Sequence, residues 1–233
     1  MQVEHPFLYG LEDQHLVECL GYLLEANTAA AFFNMQQAAS TAGIDIQICS
    51  GYRDFDKQLS IWNAKASGRR AVLDKASKPV SIESLCSNEL IDTILLWSAL
   101  PGMSRHHWGT DIDIFDGNRI KKPELQLVPA EYQHGGPCLA LSQWLHSHAE
   151  KYGFYLPYQQ GLSGVSPEPW HLSYFPISKD YINSYDIDSV KTVLACCDIL
   201  HKDEILERIA PLVNEYVLRV APVPTLKQPL TET

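Results

Sequence analysis

The sequence predicts an α+β fold. Several stretches repeat apolar residues at helical spacing, while three short stretches alternate apolar and polar residues. No strand–helix unit recurs along the chain, which argues against a parallel α/β sheet and for strands segregated from helices.

In chain order, residues 12–42 are predicted as a helix, with Leu16, Leu20, Leu23 and Leu24 on one face, Phe32, Met35 and Ala39 continuing it, and Gly43 ending it. Ile44–Cys49 alternates Ile44, Ile46 and Ile48 with Asp45 and Gln47, a strand with one buried face. Asp54–Ala66 reads as a helix capped near Asp54 and stopped by Ser67-Gly68, and the polar, basic run 67–80 as a surface loop. Ile82–Leu100 returns to helical spacing before Pro101-Gly102. Thr110–Phe115 alternates again and runs into the turn Asp116-Gly117-Asn118. A helix over 137–152 closes at Gly153, a Gly- and Pro-rich loop spans 157–169, and Trp170–Phe175 is a short strand. Two helices follow near 187–200 and 203–219, an expected extension of the main domain. The expected organisation is a domain over 1–183, a packed helical extension over 184–220 and a low-order tail over 221–233.

The chain has 233 residues, ample for a buried core. Lys plus Arg number 18 against 28 Asp plus Glu, a net charge of −10 with no offsetting basic block, so nucleic acid is not an expected partner. No run approaches the roughly 20 apolar residues that span a bilayer. The start of the chain lacks a basic segment followed by an apolar one, which gives a cytoplasmic expectation, or a periplasmic or cell-wall one if a signal has been removed. Six cysteines without a Cys-x-x-Cys pair read as buried, reduced thiols rather than a disulfide scaffold or a zinc knuckle.

Of nine histidines, His5, His15, His134, His146, His148 and His201 have no partner at ligand spacing and read as solvated or capping residues. Two segments differ. In Ser104-Arg105-His106-His107-Trp108-Gly109-Thr110-Asp111-Ile112-Asp113, a histidine sits in the turn entering a strand whose Asp111 and Asp113 share a face. Either that face is wet or something positive sits against it, because buried carboxylates need a cation or donors. In Glu168-Pro169-Trp170-His171, Pro169 holds Glu168 extended, three residues from a histidine. A lone Glu-x-x-His is a weak signal. Together, His106, Asp113 and His171 supply two nitrogens and one oxygen and leave a fourth tetrahedral position for water, the pattern of catalytic zinc. Glu168 then stands as a base beside the metal. Arg53 follows a strand and opens a helix, where anions are favoured, and its planar fork suits a carboxylate. An isolated arginine there would more often pair with Asp54 or Asp56.

These segments resemble the zinc D-alanyl-D-alanine carboxypeptidases of the VanY-like type, within the wider lysostaphin, D-Ala-D-Ala metallopeptidase and hedgehog group. The family pattern is Ser-x-His-x-x-Gly-x-x-x-Asp, then Glu-Pro-Trp-His, with an upstream Ser-Gly-Tyr-Arg and a Gln five residues later. Here these are Ser104 to Asp113, Glu168 to His171, and Ser50-Gly51-Tyr52-Arg53 with Gln58. The resemblance implies a small antiparallel central sheet flanked by helices and Zn2+ held by His106, Asp113 and His171. It implies Glu168 as general base and then acid, with Arg53, Gln58 and Ser104 binding the substrate. The implied reaction is removal of a C-terminal D-alanine, across a D,D- or L,D-bond, from a peptidoglycan-derived peptide. A phage-lysin type endopeptidase and a non-catalytic zinc-stabilised binding module are the alternatives. Asp111 departs from the family, where many members carry a small residue; it stands either as a rival carboxylate two residues from Asp113 or as a hydrogen-bond partner for a histidine such as His107.

Overall fold

The computed structural model describes residues 3–225. Its centre is a four-stranded, wholly antiparallel sheet of order β3-β6-β8-β7, formed by β3 (Ile46–Ser50), β6 (Asp111–Asp116), β7 (Phe154–Tyr155) and β8 (His171–Tyr174). Its α-helices are α1 (Ala26–Thr41), α2 (Phe55–Ala66), α3 (Ser87–Leu95), α4 (Leu139–His148), α5 (Phe175–Asn183), α6 (Ile187–Ala195), α7 (Lys202–Glu207) and α8 (Ile209–Val213). Two small hairpins complete it: β1 (Leu16–Cys19) with β2 (Tyr22–Glu25), and β4 (Val72–Leu73) with β5 (Pro79–Val80). The α+β class with a small antiparallel sheet is therefore the one observed.

Ile46, Ile48, Ile112, Ile114 and Leu172 are buried with Phe32, Met35 and Ala39 of α1 and Leu141 and Leu145 of α4. A second buried cluster joins Trp62 of α2, Leu90, Ile91 and Ile94 of α3, and Val190, Leu194, Ile205, Ile209, Leu212 and Val213 from α6 to α8. The C-terminal helices thus share a buried cluster with α2 and α3. Because side chains alternate along a strand, Ile112, Ile114 and Leu172 turn one way and Asp111, Asp113, His171 and Ser173 the other.

Several elements depart from expectation. The predicted helix over 12–42 begins only at Ala26; residues before it form the β1–β2 hairpin. Its two-residue turn places Leu20 at φ 52° and Gly21 at φ 82°, the left-handed pair that joins twisted strands. Four leucines at helical spacing gave no hint of that turn, whereas Gly21 did. Glu25 then caps α1, its carboxylate accepting from the Thr28 amide at 2.8 Å. The helix expected over Ile82–Leu100 is shortened to α3, and the 67–80 loop contains the β4–β5 pair. The 137–152 helix ends at His148 and finishes as a 3-10 turn, Ala149–Tyr152. α5 was not foreseen, although Pro176 in its first turn is a start signal. The 203–219 helix breaks into α7, α8 and a π-helical turn, Asn214–Leu218, because Pro211 lacks an N–H and clashes with the preceding turn.

Of the tail, residues 226–233 lie outside those described, while Ala221 is buried and donates its amide to Pro157 O at 2.9 Å. All six cysteines are free, but only Cys138 is fully buried; Cys86 and Cys196 are exposed.

Candidate active site

Three separate pieces of backbone converge on one point. Asp113 in β6 lies directly opposite His171 in β8, so the pairing register places both side chains on one face within contact distance. On the other side of β6, Ser50 pairs with Asp113 after a shift in the β3–β6 register. That irregularity turns the chain from β3 into the Gly51-Tyr52-Arg53 segment. His106 comes from a 3-10 turn, Arg105–Trp108, closed by Gly109 at φ 69°. A Cβ on Gly109 would stand 2.4 Å from Leu16 Cδ2 and 2.9 Å from the Glu25 amide, so only glycine permits this turn against the hairpin.

Hydrogen bonds select the imidazole tautomers. His106 Nδ1 donates to Gly51 O at 2.9 Å, which leaves Nε2 without a hydrogen and 3.2 Å from Asp113 Oδ2. His171 is reversed: Nε2 donates to Asp111 Oδ2 at 2.9 Å, leaving Nδ1 3.1 Å from Asp113 Oδ1. The donor atoms of His106, Asp113 and His171 all lie within 4.8 Å of one another, and all three residues are buried. Asp113 Oδ1 is enclosed without a hydrogen-bond partner, so its nearest neighbours are close but not satisfying. Burial depresses the basicity of His106, which keeps it a neutral donor. Burial would lower His171 as well, yet the hydrogen bond to Asp111 and the charge of Asp113 raise it to about 10, so the ring holds its Nε2 proton firmly and a cation at Nδ1 would take the place of the second one. Burial likewise opposes ionisation of Asp113, but the two imidazoles hold it far below the ordinary carboxylate range. Two nitrogens, one ionised oxygen and an orphaned lone pair fit a divalent cation of the zinc type.

Asp111 belongs to a closed network behind His171, not to His107. It is fully buried, and its oxygens accept from Arg105 Nε (2.7 Å), His171 Nε2 (2.9 Å), Ser173 Oγ (2.8 Å) and Thr110 Oγ1 (2.9 Å). Although burial disfavours its charge, Arg105 and His171 bring its carboxyl down to about 2. Of the two alternatives for this strand face, the structure shows the charged one: dry, with a guanidinium against it. Arg105 was not foreseen, and its position beside His106 in the motif was the available signal. His107 instead donates Nδ1 to Arg53 O at 2.5 Å and accepts the Gly102 amide on Nε2 at 3.0 Å, which clamps the Arg53 segment.

Glu168 stands beside the three donors, with Oε2 3.5 Å from His171 Nδ1. Burial raises its carboxyl to about 8 against the pull of His171. Trp170 anchors this turn by stacking on Trp97, with ring centres 6.2 Å apart. Arg53 is gripped by Gln58 Oε1 on Nη1 (2.8 Å) and by Ser50 Oγ on Nη2 (3.1 Å). It does not pair with Asp54, whose carboxylate caps α2 through the Lys57 amide. Gln58 also donates to Ala99 O at 2.6 Å and is wholly buried, so it holds Arg53 in place from beneath. Arg53, Ser104, His106, Asp113, Glu168 and His171 line one cleft of about 280 Å³.

A model of the VanY family, D-alanyl-D-alanine carboxypeptidase, matches residues 21–177, which contain Arg53, Ser104, His106, Asp113, Glu168 and His171. The chain belongs to the VanY family. It is accordingly a metallo-carboxypeptidase by family, with His106, Asp113 and His171 as the candidate metal site. Among relatives, a Haemophilus influenzae protein described only as uncharacterized is 33% identical over 118 residues, 49% of this chain and 90% of that protein. A D-alanyl-D-alanine carboxypeptidase of Enterococcus faecalis is 27% identical over 176 residues, covering 74% of this chain and 55% of that one. In structure, the VanY fold recurs in VanYB in complex with D-alanine-D-alanine (TM-score 0.53, 21% identity, 77% of this chain and 88% of that one). It recurs also in the LdcB LD-carboxypeptidase (TM-score 0.52, 21% identity, 76% of each chain). Among the described residues no helix is long and apolar enough to cross a membrane.

Proposed function

We propose that this VanY-family protein is a zinc-dependent carboxypeptidase that removes a C-terminal D-alanine from peptidoglycan stem peptides. The observation that carries the reading is the meeting of a His-Asp-His donor set, a neighbouring unbonded carboxylate and a held guanidinium in one cleft. Zinc, when bound by His106, Asp113 and His171, supplies Lewis acidity for the scissile carbonyl and for water. Glu168 takes the proton of the attacking water and then passes it to the departing amine. Arg53, oriented by Gln58, binds the substrate's free terminal carboxylate, and Ser104 contributes to the same wall. A terminal carboxylate one residue beyond the cut restricts the enzyme to chain ends, which disfavours the endopeptidase reading. A non-catalytic binding module has no use for Glu168 at this position.

The structural relatives include a D-alanine-D-alanine complex and an LD-carboxypeptidase, so both bond types belong in the assay. Zinc-loaded protein is incubated with stem peptides ending in D-alanyl-D-alanine or in a single D-alanine after an L-centre, and the products are weighed by mass spectrometry. Loss of one alanine from one of them, abolished by chelator and restored by zinc, is expected. Internal cleavage, or no cleavage by fully loaded protein, would overturn the assignment.

A further inference from the structure

The cleft holds more positive charge than one terminal carboxylate requires. Besides Arg53, it is lined by Lys65 and Arg70, in a chain whose net charge is −10. Lys65 lies seven residues after Gln58 on α2, two helical turns along the same face and roughly 10 Å further down the axis. Arg70 is folded back over the end of that helix, its amide donating to Ala64 O at 2.8 Å. Arg105 also lines the cleft but is neutralised by Asp111 at 2.7 Å. Among the described residues, by contrast, Arg53, Lys65 and Arg70 make no ion pair, and the side chains of Lys65 and Arg70 make no hydrogen bond.

Their charges act on one another. Burial and then Arg70 push the Lys65 ammonium down to about 8, Glu168 pulls it back up, and Arg53 depresses it less than Arg70 does. Lys65 and Arg70 line the same cleft as Arg53 and Glu168. A departing alanine carries no carboxylate besides the terminal one, so a second anion that meets them belongs to the acyl side of the scissile bond. Lys65 is half-buried and Arg70 exposed at the rim. Cations that share a cleft without a paired anion are relieved by an anionic ligand, more so the less solvent they keep.

We propose that Lys65 and Arg70 form an anion subsite for a second carboxylate of the peptide, on the side chain of the residue that donates the scissile carbonyl. The preferred substrate is then an acidic peptide with a carboxylate-bearing residue immediately before the one removed. This rests on the carboxypeptidase reading above and adds the substrate's charge to it.

Two peptides ending in D-alanine, identical except for Glu or Gln before it, decide the matter. With zinc-loaded wild type, kcat/KM is expected to be about tenfold higher for the Glu peptide, the size of one charge-assisted hydrogen bond in a partly buried site. In the double variant Lys65→Met with Arg70→Gln, that ratio is expected to fall towards one. A ratio near one in wild type, or a tenfold ratio that survives in the double variant, would overturn the subsite. If circular dichroism shows the double variant unfolded, Arg70→Gln alone, at an exposed position, is expected to lower the ratio severalfold; an unchanged ratio counts against the proposal. Calorimetric binding of both peptides to zinc-loaded Glu168→Gln protein separates the two claims. If wild type cuts neither peptide, the carboxypeptidase reading fails, while the affinity ratio still decides the subsite: tighter Glu binding upholds it and equal binding rejects it.

Discussion

Replacing Asp111 by Asn tests whether the carboxylate behind His171 tunes the metal site. Its two oxygens receive four donors, two on each: Arg105 and His171 on Oδ2, and Ser173 and Thr110 on Oδ1. An Asn amide offers one oxygen and one NH2, so in either orientation one pair of donors faces another donor. If the NH2 turns toward His171, the tautomer that presents Nδ1 to the metal loses its support. A carboxylate in this position also raises the basicity of a ligand imidazole, and its loss commonly weakens metal binding 10–100-fold, about 1.4–2.7 kcal/mol. Separately, Arg105 is left as a fully buried cation without its carboxylate, which costs the metal-free protein about 3–5 kcal/mol. Zinc affinity read by competition with a chromogenic chelator at pH 7, and urea unfolding of the metal-free protein, measure the two effects separately. Removing both charges with Arg105→Met and Asp111→Leu is expected to recover most of the stability but none of the affinity. Zinc affinity within threefold of wild type in folded Asp111→Asn protein would refute the role given to this network.

Glu168→Gln is expected to keep zinc, by metal analysis, and to lose about 10²–10⁴-fold in kcat, whereas His171→Ala loses the metal itself. Retained turnover in Glu168→Gln would remove the base from the mechanism. Arg53→Ala should raise KM for peptides with a free C-terminus and leave the weak cleavage of C-terminally amidated ones unchanged; an equal loss on both would reject carboxylate binding. His107 is buried neutral with its pKa lowered to about 3, first by burial. The unfolded chain therefore binds the extra proton below pH 6.5, and stability falls as pH falls through that window toward 3. Between pH 7 and pH 5 this histidine accounts for a loss of about 2 kcal/mol, read by urea unfolding as the difference between wild type and His107→Gln. A difference that does not change with pH would show that His107 is not kept neutral.

Local signals served well where one physical cause dominates. Asp54 before an apolar face and Ser67-Gly68 after it bounded α2, and alternation along Thr110–Phe115 located β6. They served poorly where local preferences compete: the leucines of residues 16–24 satisfy helical spacing, yet the Leu20-Gly21 turn prevails because the hairpin pairs four residues and supports the His106 turn. Around Gln58, Asp111 and His107 the residues were singled out but their partners were not. Gln58 lies under Arg53, Asp111 reaches His171 instead of His107, and Arg105 supplies the charge that allows a carboxylate to be buried there.

By itself the sequence determined the chemistry on offer: two imidazoles, an aspartate, an adjacent glutamate and an arginine, each in a short segment whose turn and strand are set by neighbouring residues. Only the tertiary structure decided which atoms face one another. The register of β6 against β8, the tautomer of each histidine and the gathering of Lys65 and Arg70 beside Glu168 all depend on residues tens of positions apart. Hydrogen bonds and charges act through distance in space, and chain spacing reports that distance only within a single turn or strand.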